Sequence, residues 1–218
     1  DLVAEKTGYP KEMLELDRYA LSLNREMWSE VSGAYAAYEF HRVMQRLQTW
    51  CSEDLGGFYL DILKDRLYTT AAGGRARRSA QTALHHITRT LLHLMAPVLS
   101  FTAEEAWSIL APSEASIFVG DWSGVAPAGA AGDALIPKWR RLREIRAEVT
   151  RVLESLRKTG EIGSSLQAEV AIVAPEADHA LLASLGDDLH FVMITSAVAL
   201  ERGEALEVKA QPSAHAKC

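Results

Sequence analysis

Apolar residues recur at steps of three and four along the segment from residue 43 to residue 62. They are Val43, Leu47, Cys51, Leu55, Phe58 and Ile62. This spacing places them on one face of a single long α-helix. A helix with one continuous apolar face must bury that face against neighbouring elements. The spacing therefore predicts a helical bundle.

Three more segments have the same period. We expect a first helix over residues 14–31, a third over 77–97 and a later one over 137–160. Pro97 should end or kink the third helix, because proline lacks the amide hydrogen that the helix needs. Thr102 and Glu105 are three residues apart, and this spacing predicts a capping box at the start of a short helix.

The pattern changes after residue 160. Residues 170–173 and 191–198 are rich in β-formers and predict two strands, and residues 177–185 between them predict a helix. The fold class expected is therefore mainly α. A helical domain covers residues 1–160, and a small α+β domain covers residues 161–218.

The composition is that of an ordinary globular protein, with 48% hydrophobic and 24% charged residues in 218. No run approaches the roughly 18 apolar residues of a membrane span, and the first ten residues lack the pattern of a secretory signal. Cys51 and Cys218 provide no disulfide framework. We expect a cytoplasmic protein that has no membrane partner.

Positive charge is concentrated in two segments, although the whole chain has a net charge of −6. Residues 64–91 contain six basic residues and one acid, and residues 138–158 contain eight basic residues and three acids. Each segment therefore has a net charge of +5. A local basic face is sufficient for nucleic-acid binding, but a charged helix face is also commonly just a solvated surface.

Catalytic and metal-binding motifs are absent from the sequence. It contains no phosphate loop, dinucleotide fingerprint, nucleophile elbow or H-E-x-x-H motif. His85, His86 and His93 lack the i, i+4 spacing of a helical metal site, and we expect His85, Arg89 and His93 to line a solvated helix face. The sequence therefore predicts no catalytic site and no cofactor.

The end of the second helix has the composition of an RNA-binding surface. Lys64 and Tyr68 are four residues apart on one helix face, and Arg66 lies between them. A loop follows, with paired glycines, and beyond it come Arg75, Arg77 and Arg78. Cations and an aromatic ring suit phosphate contact combined with base stacking. The alternative is that Lys64 only pairs with Asp61.

Five strings of the chain occur in the same order and at about the same spacing in bacterial isoleucyl-tRNA synthetases. They are LDRYAL (16–21), AYAAYEFHRV (34–43), FYLDILKDRLY (58–68), MAPVLSFTAEEAW (95–107) and IGSSLQAEVAI (162–172). The chain resembles the part of these class I enzymes that follows the catalytic domain. The valine and leucine enzymes share the helical plan and remain alternatives.

The resemblance implies a helical anticodon-binding domain followed by a small junction domain. The HIGH and KMSKS signatures are absent, so this part is expected to bind isoleucine tRNA without activating isoleucine. It implies a monomer, whose full-length form carries a catalytic domain and uses ATP with Mg and a structural zinc. Cys218 falls where the first zinc ligand would stand, and one thiolate predicts no bound zinc here.

The resemblance also suggests roles for single residues. Lys64, Arg66 and Tyr68 would meet the anticodon loop, and three arginines beside them would bind phosphates. These three are Arg75, Arg77 and Arg78. Arg140 and Arg143, in the second basic segment, would lie along the anticodon stem.

Two other classes of function remain open. A helical scaffold would recruit a protein through surface aromatics such as Trp28 or Trp50, and its sign would be a contiguous exposed apolar patch. A self-contained helical enzyme would need a pocket with converging titratable groups.

Overall fold

The computed structural model describes residues 13–120 and 134–214. The chain forms two compact units, one ending at Asp133 and the other beginning at Ala134. The sequence placed this boundary at residue 160. The difference arises because the helix expected over residues 137–160 packs against the elements that follow it in the chain.

The first unit is a helical bundle. Its elements are α1 (Glu15–Ala36), α2 (Phe40–Thr49), a π-helical segment (Trp50–Tyr59), α3 (Leu60–Thr69), α4 (Arg75–Met95), α5 (Ser100–Leu110) and a 3₁₀ turn (Ile117–Val119). Helix α1 packs against α2 and α4, and α4 also packs against α3 and α5. The mainly α architecture predicted from the apolar periodicity is confirmed.

The long helix expected over residues 43–62 is continuous but not uniformly α-helical. Its middle is the π-helical segment, in which the hydrogen-bond step is five residues instead of four. The apolar face consequently shifts by one position, so that Trp50 is buried and Cys51 is exposed. Gly56 fits this segment because a Cβ there would lie 3.0 Å from the Cys51 carbonyl oxygen.

Large aromatic and aliphatic side chains fill the core of the first unit. Tyr19 and Phe58 meet edge to face, with ring centroids 6.2 Å apart. Burial of each such side chain stabilises the fold by roughly 1.5–3 kcal/mol. The buried residues Ile62 and Leu63 anchor α3 to this core along one of its faces.

The junction of α4 and α5 differs in two respects from what the sequence predicted. Helix α4 ends at Met95, as Pro97 predicted, but α5 begins at Ser100, so the capping box at Thr102 was wrong. His93 is not solvated. Its ring lies inside the unit, 4.7 Å from that of Trp107, because α5 packs against α4 and brings Trp107 onto it.

The second unit is a small α+β fold. Its elements are α6 (Leu135–Lys158), β1 (Ala168–Ala174), α7 (Glu176–Ala183), α8 (Leu189–Met193), β2 (Ala197–Arg202) and β3 (Glu207–Pro212). The sheet order is β2-β1-β3, with β1 parallel to β2 and antiparallel to β3. Val170 on β1 stands opposite Val198 and Ala210.

Helix α6 packs against β3, α7 and α8, and its apolar face supplies much of this unit's core. The strand predicted over residues 191–198 was wrong in position, since α8 occupies its first part and β2 begins at Ala197. A short apolar run fits a helix or a strand equally well. Among the described residues, no helix is long and apolar enough to cross a membrane.

Candidate nucleic-acid interface

The outer face of α3 presents a lysine and a tyrosine. Lys64 and Tyr68 are one helical turn apart, on the side opposite the buried Ile62 and Leu63. The Tyr68 ring is 85% exposed, and the Lys64 side chain is 49% exposed. An exposed aromatic ring on a rigid helix is a platform on which an unpaired base can stack.

Lys64 also makes the surface ion pair that the sequence offered as an alternative. Its Nζ lies 3.0 Å from Oδ1 of Asp61, one turn earlier in the chain. Exposed pairs of this kind contribute only about 0–1 kcal/mol. The ammonium group can therefore exchange this carboxylate for a phosphate at little cost.

Arg66 does not lie on this face, which corrects the sequence-based assignment. Its side chain is only 12% exposed, and its Nη1 lies 3.3 Å from Oδ2 of the fully buried Asp17. The reason is the helical period, because two residues along a helix correspond to a rotation of about 200°. A residue midway between Lys64 and Tyr68 must point away from both.

The loop after α3 leads directly into a basic helix start. Residues 70–74 connect the two helices, and Gly74 is the N-cap of α4. A Cβ at Gly74 would lie 3.0 Å from the Ala71 carbonyl oxygen, so this close turn favours glycine. The first amides of a helix have no acceptor within the helix, and the helix dipole makes this end attractive to anions.

Three arginines crowd into the first turn of α4, where acids would normally stabilise the helix. Arg75 is exposed and Arg78, three residues later, is half-buried. Arg77 is turned differently and donates through Nη1 to the Thr70 carbonyl oxygen, at 3.3 Å. Arg77 therefore stabilises the loop, while Arg75 and Arg78 give the start of α4 its positive surface.

We call Lys64, Tyr68, loop 70–74, Arg75 and Arg78 the α3–α4 surface. It combines an aromatic ring, several cations and a helix N-terminus, the groups that bind single-stranded RNA. Of the eight residues that the sequence suggested for RNA contact, four flank loop 70–74 as part of this surface, and Arg66 and Arg77 make internal contacts instead.

The last two of these residues lie in the second unit, on α6. Arg140 is exposed and Arg143 is half-buried. Other cations of α6 pair with acidic side chains. Arg141 donates two hydrogen bonds to Asp178, at 2.9 and 2.7 Å, and Arg151 pairs with Glu148. The hydrogen bonds from Arg141 lower the pKa of Asp178 below its ordinary value.

Sequence reasoning missed a second exposed feature, a group of aromatic rings where α1 meets α2. The rings of Tyr35 and Tyr38 lie 6.2 and 6.1 Å from that of Phe40, and Tyr38 and Phe40 are exposed. Trp50, named for the scaffold alternative, is buried instead, and Trp28 is half-buried.

The described residues, 13–120 and 134–214, contain no metal-binding cluster. No group of three or more His, Cys, Asp or Glu side chains there could hold a metal ion. Cys218, where the sequence placed the first ligand of an incomplete zinc site, lies outside the described residues.

Comparisons with known proteins identify the family of this chain. Residues 17–172 match the family described as the anticodon-binding domain of tRNA ligase. Isoleucine–tRNA ligases of Bordetella pertussis and Cupriavidus taiwanensis are 56% and 57% identical to the chain, over 100% and 95% of its length. The ligase of Thiobacillus denitrificans is 53% identical over 95% of the chain.

The chain spans 22–24% of the length of these curated relatives. The family match, in contrast, covers well over half of the chain and includes α1 to α6 and most of β1. The chain therefore belongs to the family of anticodon-binding domains of tRNA ligases.

Proposed function

We propose that the chain is the anticodon-binding part of an isoleucine–tRNA ligase and that its α3–α4 surface contacts the anticodon loop. The observation that carries this proposal is the family match over residues 17–172. The printed names of the relatives favour isoleucine tRNA over the tRNAs of valine and leucine. In the full-length ligase, a catalytic domain using ATP with Mg would join isoleucine to this tRNA.

The chemistry of the α3–α4 surface suits an unpaired loop better than a duplex. Sequence-specific RNA binding mostly targets splayed bases, because side chains cannot read the deep, narrow groove of an RNA helix. Tyr68 offers its exposed ring to one base, while Lys64 and Arg75 offer positive charge to the flanking phosphates. The buried face of α3 fixes the direction in which these groups point.

The proposal also covers the cellular location, the oligomeric state and the cofactors of the ligase. The ligase acts in the cytoplasm, where its tRNA is charged, and the chain is monomeric. ATP, Mg and a structural zinc belong to other parts of the full-length ligase, and we assign none of them to the described residues. Arg140 and Arg143 are proposed to add charge along the anticodon stem.

A matched pair of variants tests the role of Lys64. Lys64 and Arg151 are both exposed and both pair with an acid three residues earlier, so Lys64→Ala and Arg151→Ala remove equivalent charges. We expect Lys64→Ala to weaken binding of isoleucine tRNA about tenfold, measured by fluorescence anisotropy, because one charge-assisted phosphate contact is lost. Arg151→Ala should change the Kd by less than about twofold.

The salt dependence provides a second readout. Loss of one phosphate contact should make the slope of log K against log salt shallower by about one for Lys64→Ala and leave it unchanged for Arg151→Ala. Equal effects of the two variants would refute the assignment of Lys64. Equal affinity for isoleucine, valine and leucine tRNAs would refute the isoleucine assignment.

A second candidate function is protein binding through the exposed rings of Tyr38 and Phe40. Tyr38→Ser with Phe40→Ser removes this apolar cluster and leaves the α3–α4 surface unchanged. If this double variant binds tRNA like the wild type but loses a protein partner in the full-length ligase, both functions coexist. If it loses tRNA binding as strongly as Lys64→Ala, the aromatic cluster belongs to the RNA interface.

A further inference from the structure

We propose that Asp17 is a positioning residue for the α3–α4 surface, a role that rests on the function proposed above. Asp17 lies in the first turn of α1 and is fully buried. It cannot touch RNA from this position. It acts through the side chains that it binds.

One carboxylate joins three other parts of the bundle. The Tyr59 hydroxyl, at the end of the π-helical segment, donates to Oδ1 at 2.7 Å. The Ser79 hydroxyl of α4 donates to Oδ2. Arg66 of α3 donates through Nη1, which lies 3.4 and 3.3 Å from the two oxygens.

These partners lie on both sides of the loop that forms part of the α3–α4 surface. Arg66 is in the last turn of α3, and Ser79 is in the second turn of α4. The end of α3 and the start of α4 are therefore hydrogen-bonded to the same carboxylate, that of Asp17. Ser79 Oγ also accepts a hydrogen bond from the Leu14 amide, at 2.9 Å, which ties the start of α1 to the cluster.

The tether to Arg66 sets the orientation of Lys64 and Tyr68. These two residues stand two positions before and after Arg66 on the same helix, so they face outward when Arg66 faces inward. If the pairing with Asp17 is lost, the last turn of α3 is free to rotate and fray. The exposed tyrosine and lysine then lose their fixed separation from Arg75.

The hydrogen bond from Tyr59 stays in place across the neutral range. Burial raises the pKa of the Tyr59 phenol well above its ordinary value, and the charge of Asp17 raises it further. The phenol therefore remains a donor to the carboxylate. Breaking a buried charge cluster by removing one partner is costly, since the remaining charge is left without compensation.

Removing the negative charge of Asp17 distinguishes a positioning role from a direct electrostatic effect on the RNA. Asp17→Asn removes a negative charge and keeps the shape of the side chain. If the only effect were electrostatic, affinity for the polyanionic RNA would rise, because the local net charge becomes more positive. In the folded variant, a fall in affinity can come only from a change in geometry.

The test compares Asp17→Asn with Asp54→Asn, by anisotropy with isoleucine tRNA and by urea unfolding. Asp54 lies in the same unit and is largely buried, and it pairs with Arg46 at 3.1 Å, so the chemical change is matched. We expect Asp17→Asn to weaken binding roughly three- to thirtyfold, in the range of mutations that act through a coupled element. Asp54→Asn should leave the Kd within about twofold.

A milder variant covers the case in which Asp17→Asn unfolds. Ser79→Ala removes one hydrogen bond to the carboxylate without changing charge, and we expect about a threefold loss of affinity. Amide exchange should become faster over residues 66–78 in both variants and stay unchanged in α5. The salt slope should become shallower, which a uniform loss of folded protein would not produce.

The outcomes are distinct. Wild-type or tighter binding by folded Asp17→Asn overturns the positioning role and leaves the proposed function standing. An equal loss in Asp54→Asn also overturns it, because the effect would then follow any broken ion pair. Failure of the wild-type chain to bind any tRNA, alone and within the full-length ligase, overturns both.

Discussion

The two basic segments of the chain have the same net charge of +5 but use it differently. In the first segment, Tyr68 and the cations Lys64, Arg75 and Arg78 lie around one loop, and the internal cation Arg66 holds the helix end. In α6 of the second unit, the cations alternate with acids three positions away. Arg141, Arg151 and Arg157 each pair with such a glutamate.

This difference shows that spacing, more than charge count, decides what a basic segment does. Acids one turn away pair with three of the cations of α6 within the helix itself, and Arg141 also binds Asp178 of α7. In the first segment, Arg66 and Arg89 pair with Asp17 and Glu114, and Lys64 makes only an exposed pair with Asp61. Lys64, Arg75 and Arg78 therefore supply most of the surface charge of this segment. The same net charge therefore predicts an RNA surface in the first unit and a mainly structural helix in the second.

The largest expected effect comes from removing two cations from each segment. Lys64→Gln with Arg75→Gln should weaken binding of isoleucine tRNA about a hundredfold. Each charge-assisted contact contributes about 1.5 kcal/mol, and about 1.4 kcal/mol corresponds to tenfold in Kd. Arg151→Gln with Arg157→Gln changes the net charge equally and should cost less than about threefold, measured by the same anisotropy titration. Equal losses would show that only net charge matters.

Removing the stacking platform should have the next largest effect. Tyr68→Ala should weaken tRNA binding roughly tenfold, because base stacking on an aromatic ring contributes about 1–3 kcal/mol. Tyr68→Phe should bind like the wild type, since the ring is kept. Tyr38→Ala, which removes another exposed tyrosine of the same unit, is the control. A loss with Tyr68→Phe as large as that with Tyr68→Ala would contradict stacking.

The smallest expected effect on RNA binding is that of Asp178→Asn, which should instead affect stability. The lowered pKa of Asp178 means that its ionised form stabilises the folded state, fully above its ordinary pKa of 3.8 and less as the pH falls through the lower folded value. Urea unfolding at about pH 6 should show a cost of roughly 1–3 kcal/mol.

That cost should shrink as the pH falls below 3.8, because the wild-type carboxyl then becomes protonated as well. Affinity for tRNA should stay within about twofold of wild type. A cost that is the same at both pH values would contradict an ionic role for this pair. A large loss of tRNA affinity would remove the distinction between the two basic segments.

Much of the architecture followed from periodicity, and the errors have physical causes. The stripes that begin at Val43 and at Trp139 predicted buried helix faces, and most of their members are buried. The exceptions are Cys51, which is exposed, and Val152 and Leu156, which are half-buried. The shift at Cys51 comes from the π-helical segment, which no period of 3.6 can anticipate. The strand expected over residues 191–198 failed because a short apolar run does not distinguish α8 from β2.

The candidate site was predictable in its composition and less so in its geometry. The four-residue spacing of Lys64 and Tyr68 places both side chains on one face of α3, which is exposed. The helical period also directs Arg66, midway between them, toward the opposite side. The pairing of Arg66 with Asp17 could not be predicted, because the two residues are 49 positions apart in the sequence. The inward turn of Arg77 toward Thr70 likewise depends on the loop conformation.

The central claim is that Tyr68 meets unpaired bases of the anticodon loop. The most direct measurement replaces Tyr68 with a photo-crosslinking phenylalanine derivative in the full-length ligase and maps the attached nucleotide of isoleucine tRNA by reverse-transcription stops. We predict stops in the anticodon loop, and none there when the probe stands at Arg151. Stops confined to the acceptor arm, or the same stops from both positions, would contradict the account.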